Sequence, residues 1–392
     1  MATDRPLEPL PVDPARIGAA LSALSDALDG RGPARLPVPV RDRVGADRLT
    51  AAFPAGTPVP ADTALVTATS GTTGTPKGAL LPAAALRASA AATHERLGGP
   101  GAWLLALPAH HIAGIQVLIR SLDSGTTPAV LDVTDGFDPE SLVAVAETMA
   151  PGRRYTALVP GQLIKALDHP AATAALAGFD AILLGGAPTP GPVLDRARAA
   201  GLRPVRTYGM SETSGGCVYD GRPLPGTRVR LDREDGRIVL GGATLATGYL
   251  GLPDHPAFAE PGWFRTDDAG RIDDDGVLSV VGRLDEAFTS GGLTVVPQVI
   301  EELLGRLPGV AECAVVGLPD TRLGHRIVAA VVPAPGAAAP SADQVRAAIA
   351  PRLGDRAVPR RIVTLTALPR RGPGKLDRTA LAARLADPDT GI

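Results

Sequence analysis

Hydrophobic positions along this chain fall in short runs closed by glycine or proline, with longer mixed segments between them. The runs 64–67, 103–107, 129–133, 156–159 and 181–184 are too short for helices and lack polar alternation, the pattern of strands buried on both faces. Between them, 139–149 and 192–200 read as helices, the second stopped by Gly201. Such alternation predicts an α/β fold of layered, doubly wound sheets. After Gly221 the pattern turns polar and turn-rich, and 228–231, 237–240 and 277–281 read as antiparallel strands of a β-rich subdomain. From Pro297 a smaller α+β unit is expected: helix 299–307, strands 311–316 and 327–333, helix 342–353 and strand 361–365. The Ala/Pro/Gly run 333–340 reads as a loop inside that unit, which puts the division near Asp285, into domains 1–284 and 285–392. No period of repeat length recurs, which excludes a solenoid.

Composition narrows the function classes. At 392 residues the chain is long enough for two or three folding units with a cleft between them. A net charge of -2, with 20% charged residues, calls for neither a nucleic-acid nor a membrane partner. The apolar stretch 102–119 would have to bury Pro108, His110, His111 and Gln116 in a bilayer, so no membrane span is expected. Cys217 and Cys313 have no metal-ligand spacing, and the acidic, proline-rich start MATDRPLEPLPVDP is not a secretion signal. A reducing cytoplasm is expected.

Candidate chemistry enters at 69–78, TSGTTGTPKG, after an apolar run and before an Ala-rich, helix-like stretch. Glycines turn the backbone and aim N–H groups inward, hydroxyls add donors and Lys77 adds charge, a combination suited to polyphosphate. Taken alone, it also reads as a flexible surface loop. It is not a Walker A loop, because Pro76 stands where that motif has glycine before lysine. The loop resembles the signature of the adenylate-forming superfamily of acyl- and aryl-CoA ligases, adenylation domains and luciferases, and the other family motifs follow in order between about residue 65 and 380.

The resemblance implies ATP, Mg²⁺ and coenzyme A as co-substrates and cofactors. It implies that Thr69, Ser70, Gly71, Thr72, Thr73, Gly74 and Lys77 hold the phosphates. GGAP carries Gly185 and the adenine-packing Gly186, Ala187 and Pro188. YGMSET carries Tyr208 for stacking on the base, Gly209, Ser211 near the phosphates and Glu212 for Mg²⁺. By itself Glu212 has a lesser alternative reading as a helix N-terminal carboxylate. GWFRTDDAGRIDDDG puts the ribose on Asp268, with Asp267 adjacent, and GRLDEAFTSGG supplies Arg283, a hinge at Asp285, and Gly291 and Gly292 at the thiol channel. PRRGPGKLDR carries Lys375, the implied adenylation lysine of a mobile C-terminal domain; in isolation it is a basic surface loop.

No Ser-His-Asp or Cys-His set is evident, and none is needed when a substrate carboxylate attacks the α-phosphate and a thiol then attacks the acyl-adenylate. The acid pocket is implied at PAHHIAG, with His110 and His111. Ser214, Gly215 and Gly216 open SGGCVYDG, which resembles actinobacterial o-succinylbenzoate-CoA ligases of menaquinone biosynthesis; the small glycines would leave room for an aromatic ring. The chain begins about a hundred residues closer to its phosphate loop than longer relatives do, against a luciferase or long-chain ligase. No carrier segment follows Lys375, against a synthetase module. Other aryl-acid ligases and a standalone adenylating enzyme stay open. Intact Lys77, Glu212, Asp268 and Lys375 weigh against a non-catalytic nucleotide binder. The partners expected are a carboxylic acid, ATP and CoA, with a homodimer also entertained.

Overall fold

The structure, a computed structural model, describes residues 4–69, 76–371 and 375–386, excluding the side chains of Arg371 and Lys375. It comprises two compact units, Met1–Arg230 with Val239–Thr266, and Leu231–Ile238 with Asp267–Ile392. Three strands, Thr227–Leu231, Arg237–Gly242 and Trp263–Ile272, run across the division in sequence.

Among the described residues the first unit holds two sheets. One contains β1 (Arg5–Val12), β2 (Ala34–Pro39), β3 (Pro58–Val59), β4 (Thr63–Thr69) and β5 (Lys77–Pro82), in the order β5-β4-β2-β1-β3, with Gly248–Tyr249 beyond β5. The other contains β6 (Ala102–Leu105), β7 (Ala129–Val130), β8 (Arg154–Leu158), β9 (Ala181–Leu184), β10 (Pro204–Met210), β11 (Gly215–Tyr219) and β12 (Arg222–Pro223), in the order β12-β11-β10-β9-β8-β6-β7. From β7 to β10 every pairing is parallel, and β11 turns back antiparallel on β10.

Helices α1 (Ile17–Leu28), α3 (Ala83–Leu97) and α4 (Ile112–Asp123) fill the space between the sheets. α5 (Pro139–Glu147), α6 (Pro160–Leu167), α7 (Pro170–Ala177) and α8 (Gly191–Ala199) cover the outer face of the second. The short apolar runs follow from this layering. In β9, Ala181 and Leu183 face the inner core while Ile182 and Leu184 face the outer helices, so no position is left for a polar residue. Each fully buried leucine of this kind contributes about 2 kcal/mol. α2 (Arg43–Ala52) packs Leu49 against the far face of the first sheet.

Two strands were not anticipated from the sequence. β1 carries Pro9 and Pro11, residues that a paired strand seldom tolerates. The N–H of Leu7 donates to Thr57 O, away from β2, and Pro9 and Pro11 share its parity. They therefore lack an N–H only on the side where β3, paired at Arg5 and Pro6, has already ended. The second departure is β5, which stands between the phosphate-loop motif and the Ala-rich helix. Thr69 pairs with Lys77, so the two described ends of the motif lie on antiparallel strands, and a strand, not a helix, begins at Lys77.

The second unit is built on a long hairpin, Val310–Asp320 with Gly324–Pro333, to which Arg361–Thr364 adds in parallel. α9 (Pro297–Leu304) and α10 (Ala342–Leu353) pack Ile300, Leu304, Val345 and Ile349 on one face. α11 (Arg378–Ala386) packs Leu381 and Leu385 on the other. Ser341 and Gln344 start α10 with reciprocal bonds, Ser341 Oγ accepting from Gln344 N and Gln344 Oε1 accepting from Ser341 N.

Candidate active site

In an open α/β sheet, ligand-binding loops gather at the carboxyl ends of parallel strands, where side chains and free backbone groups point the same way. Three predicted motifs sit there: His110 and His111 after β6, Gly185–Gly186–Ala187–Pro188 after β9, and Tyr208 to Ser214 at the end of β10. Gly185 N–H still donates to Leu158 O at 3.3 Å, and a Cβ at Gly185 would lie 2.7 Å from Thr207 Oγ1. Ala187 and Pro188 are exposed, Tyr208 and Ser211 half-buried.

The turn that follows β10 is held by close backbone approach. A Cβ at Gly209 would lie 2.2 Å from Gly215 O, so only glycine lets β10 and β11 meet at the bulge beside Tyr208. Thr213 Oγ1 accepts from Met210 N at 2.9 Å and donates to Gly215 O at 2.7 Å, closing the 3₁₀ turn Ser211–Thr213. Ser214 takes a left-handed φ of 52°. Its carbonyl accepts from Gln116 Nε2 at 2.8 Å and Ser89 Oγ at 2.9 Å, while Ser214 Oγ and Gln116 Oε1 are buried without a hydrogen-bond partner. The side-chain space at Gly215 is taken by Gln116, and that at Gly216 by Tyr219 and Thr207. In those directions the glycines let protein pack on protein.

Glu212 is buried at 6% exposure, and Tyr249 O–H donates to its Oε1 at 2.6 Å. The Tyr249 ring lies 5.2 Å from Lys77 Nζ, and His255 Nε2 lies 3.0 Å from the same amine. Lys77, Tyr249, His255 and Glu212 thus form one chain of contacts. Ser70, Gly71, Thr72, Thr73 and Gly74 lie outside the described residues; Thr69 ends β4 half-buried. Among the described residues no group of three His, Cys, Asp or Glu could hold a metal. Mg²⁺ carried on a nucleotide needs only one or two carboxylates, and buried Glu212 fits that demand.

His110 and His111 stack with ring centroids 4.2 Å apart. Burial lowers the pKa of His110 against the pull of Asp42, so it is neutral at pH 7 and can meet an acid only as a hydrogen-bonding group. Burial pushes the thiols of Cys217 and Cys313 up to about 12, leaving neither a thiolate nucleophile.

In the second unit, Asp268 pairs with Arg283 across the hairpin Trp263–Ile272 and Leu278–Arg283. Asp268 is buried at 7% exposure, with Arg283 Nη1 at 3.5 Å; Asp267 is exposed and accepts from Arg237 at 3.2 Å. The two adjacent carboxylates therefore face different surroundings. Asp285 accepts both Arg283 Nε and Nη2, at 2.8 and 2.7 Å, which raises the guanidinium pKa further. Gly291 and Gly292, with φ of 56° and 82°, form the two-residue turn joining Phe288–Ser290 to Leu293–Val295, a turn that needs positive φ at both places. The backbone of Lys375 pairs with Arg371 in a short hairpin.

Sequence reasoning missed Tyr249 and His255. They sit in an unremarkable turn-rich stretch, and the contact between Lys77 and His255 joins positions 178 apart, which no local pattern reveals.

With this geometry in view, likeness to known proteins is informative. The AMP-binding enzyme description matches residues 19–250, and that of the AMP-binding enzyme C-terminal domain matches 299–375. The chain belongs to the AMP-binding enzyme family. Within it, the chain is 54% identical over 368 residues to a Mycobacterium tuberculosis protein named "Probable 2-succinylbenzoate--CoA ligase", spanning 93% of this chain and 95% of that one. It is 30% identical over 338 residues to a 2-succinylbenzoate--CoA ligase of Listeria monocytogenes, spanning 82% of this chain and 70% of the relative. The Bacillus subtilis o-succinylbenzoate CoA synthetase, solved with its acyl-adenylate intermediate, superposes with a TM-score of 0.75 at 25% identity, covering 98% of this chain and 89% of that one.

Proposed function

We infer that the chain is an ATP-dependent 2-succinylbenzoate--CoA ligase, an AMP-forming acid-thiol ligase of menaquinone biosynthesis. The observation that carries this is the 54% identity over nearly the full length of both chains. The succinyl carboxylate of the acid attacks the α-phosphate of ATP and expels pyrophosphate; the CoA thiol then attacks the acyl-adenylate and expels AMP. Both steps call for alignment and charge neutralisation, and neither calls for a protein nucleophile. The raised pKa values of both cysteines agree with that.

Roles for individual residues follow from position and chemistry. Lys77 and the hydroxyls of Thr69, Ser70, Thr72 and Thr73 hold the polyphosphate. Gly186, Ala187, Pro188 and Tyr208 hold adenine at the carboxyl ends of the parallel strands. Buried Asp268, not exposed Asp267, takes the ribose, next to Arg283. Glu212 suits Mg²⁺, which would neutralise charge on the departing pyrophosphate. His110, His111 and Ser214 line the acid pocket, a placement supported by the orphaned buried oxygens of Ser214 and Gln116, since buried polar atoms normally have partners. Lys375 serves adenylation from a domain that turns about Asp285, and Gly291 and Gly292 flank the thiol path. Two unpaired thiols suit a reducing cytoplasm.

Incubation of the purified protein with ATP, Mg²⁺, CoA and a panel of acids tests the assignment. AMP and acyl-CoA are expected with o-succinylbenzoate. Turnover of benzoates or fatty acids but not of o-succinylbenzoate would overturn the substrate, and ADP as product would overturn adenylation itself.

A further inference from the structure

Three unfavourable features meet where β10 turns into β11. Among the described residues Ser214 is one of two non-glycines in the left-handed region, at φ 52°. Its buried Oγ has no hydrogen-bond partner among those residues, and neither has Oε1 of Gln116, the fully buried α4 side chain bonded to its carbonyl. A segment that had only to be stable would avoid each of them: glycine relieves the backbone, and methionine fills the place of Gln116 without an orphaned oxygen. Strained and unsatisfied groups concentrate where function requires a fixed geometry.

The neighbours of the Gln116 amide fix which way it points. Nε2 meets two carbonyls, Ser214 O at 2.8 Å and Leu86 O at 3.5 Å, which only the NH₂ end can do, so Oε1 is the end left without a partner. Ser89 Oγ of α3 donates to the same Ser214 carbonyl at 2.9 Å, and one donor is enough to satisfy it. The second donor, from α4, fixes its direction. Ser214 N–H donates to Ser211 O at 3.0 Å, and Gln116 Cγ fills the side-chain space of Gly215, 3.2 Å from where a Cβ would stand. Two helices therefore grip the Ser214–Gly215 peptide and keep it from relaxing.

We propose that Gln116 is a positioning residue for the acid substrate: it touches no reacting atom, and it holds Ser214 in its left-handed turn so that the free Ser214 hydroxyl is presented to the acid. The role rests on the reading of Ser214 as an acid-pocket residue. The nucleotide side is fixed separately, since the turn carrying Glu212 is closed by Thr213 through its bonds to Met210 N and Gly215 O.

Gln116→Met keeps the unbranched shape and the packing on Gly215 but removes the donor; Ser89→Ala removes the other donor. The measurements are KM for o-succinylbenzoate at saturating ATP and CoA, Kd for AMP by calorimetry, and the urea midpoint, all on the full chain. For Gln116→Met the acid KM is expected to rise about fivefold, as for loss of one hydrogen bond. The Kd for AMP is expected to stay within twofold, and the urea midpoint at or above wild type, because an orphaned oxygen has gone. The double variant is expected to raise the acid KM by more than the product of the single effects, since the carbonyl then has neither donor. An unchanged acid KM in Gln116→Met would overturn the role, as would a proportional weakening of acid and AMP. A Gln116→Met chain with a lowered urea midpoint, or one that fails to fold, would also overturn it, because the glutamine would then serve stability. Wild-type protein that forms no acyl-CoA from o-succinylbenzoate would overturn the functional reading and this role with it.

Discussion

His94 shows how a single buried side chain is held in one protonation state. Its Nδ1 lies 2.8 Å from Asp123 Oδ2, and its Nε2 accepts from the Trp103 indole at 3.2 Å, so the neutral tautomer uses both nitrogens. A second proton would have to enter at Nε2 against the indole N–H. Burial lowers the pKa of His94, Asp123 opposing, and burial lowers that of His110 as well. The folded protein thus resists protons that the unfolded chain accepts once the pH falls below the ordinary histidine value of 6.5. These two groups leave stability unchanged above that pH and reduce it as the pH falls toward their folded values. The melting temperature is therefore expected to decline from pH 6.5 to pH 5, with a shallower slope for His110→Asn than for wild type; equal slopes would remove His110 from the account.

Among elements, α9, α11 and the segment after Asp285 are tied by one arginine. Arg378 at the start of α11 donates to both oxygens of Glu301 in α9, at 2.6 and 2.9 Å, to Glu286 beside Asp285, and to Val315 O at 2.8 Å. The guanidinium is 17% exposed, so removing it leaves two carboxylates poorly hydrated and unpaired. Arg378→Ala is expected to destabilise the second unit by about 3 kcal/mol, read from the urea midpoint, and Arg378→Lys is expected to recover little, because an ammonium cannot match the two-pronged geometry. The resemblance marks only Lys375 in PRRGPGKLDR, and in isolation the segment reads as a basic surface loop. Arg378 escaped that reading because its partners come from residues 77 and 92 positions away.

For the whole molecule the two half-reactions need different surroundings, and the proposed division of labour makes Lys375 necessary for only one. Lys375→Ala is expected to lower adenylation, measured as pyrophosphate release, by a factor of about 10² to 10³. Thiolysis of supplied acyl-adenylate should stay near wild type; equal loss of both steps would reject the division. The α/β layering, helix α10 and the order of the nucleotide motifs were legible in sequence, because burial on both faces forces apolar runs and phosphate loops demand particular residues in a row. β1 was not legible: its prolines are harmless only because β3 stops short, which is a fact of sheet neighbours. β5 was not legible either: a strand, not the Ala-rich helix, directly follows the phosphate motif. Nor could local sequence separate Asp267 from Asp268, which differ in burial, the first exposed and the second buried. Sequence by itself determined the layered architecture and the nucleotide chemistry, both written in contiguous residues. The proline-tolerant strand, the state of His94 and the meeting of Lys77 with His255 were decided by tertiary structure alone, because each depends on groups brought together from distant parts of the chain.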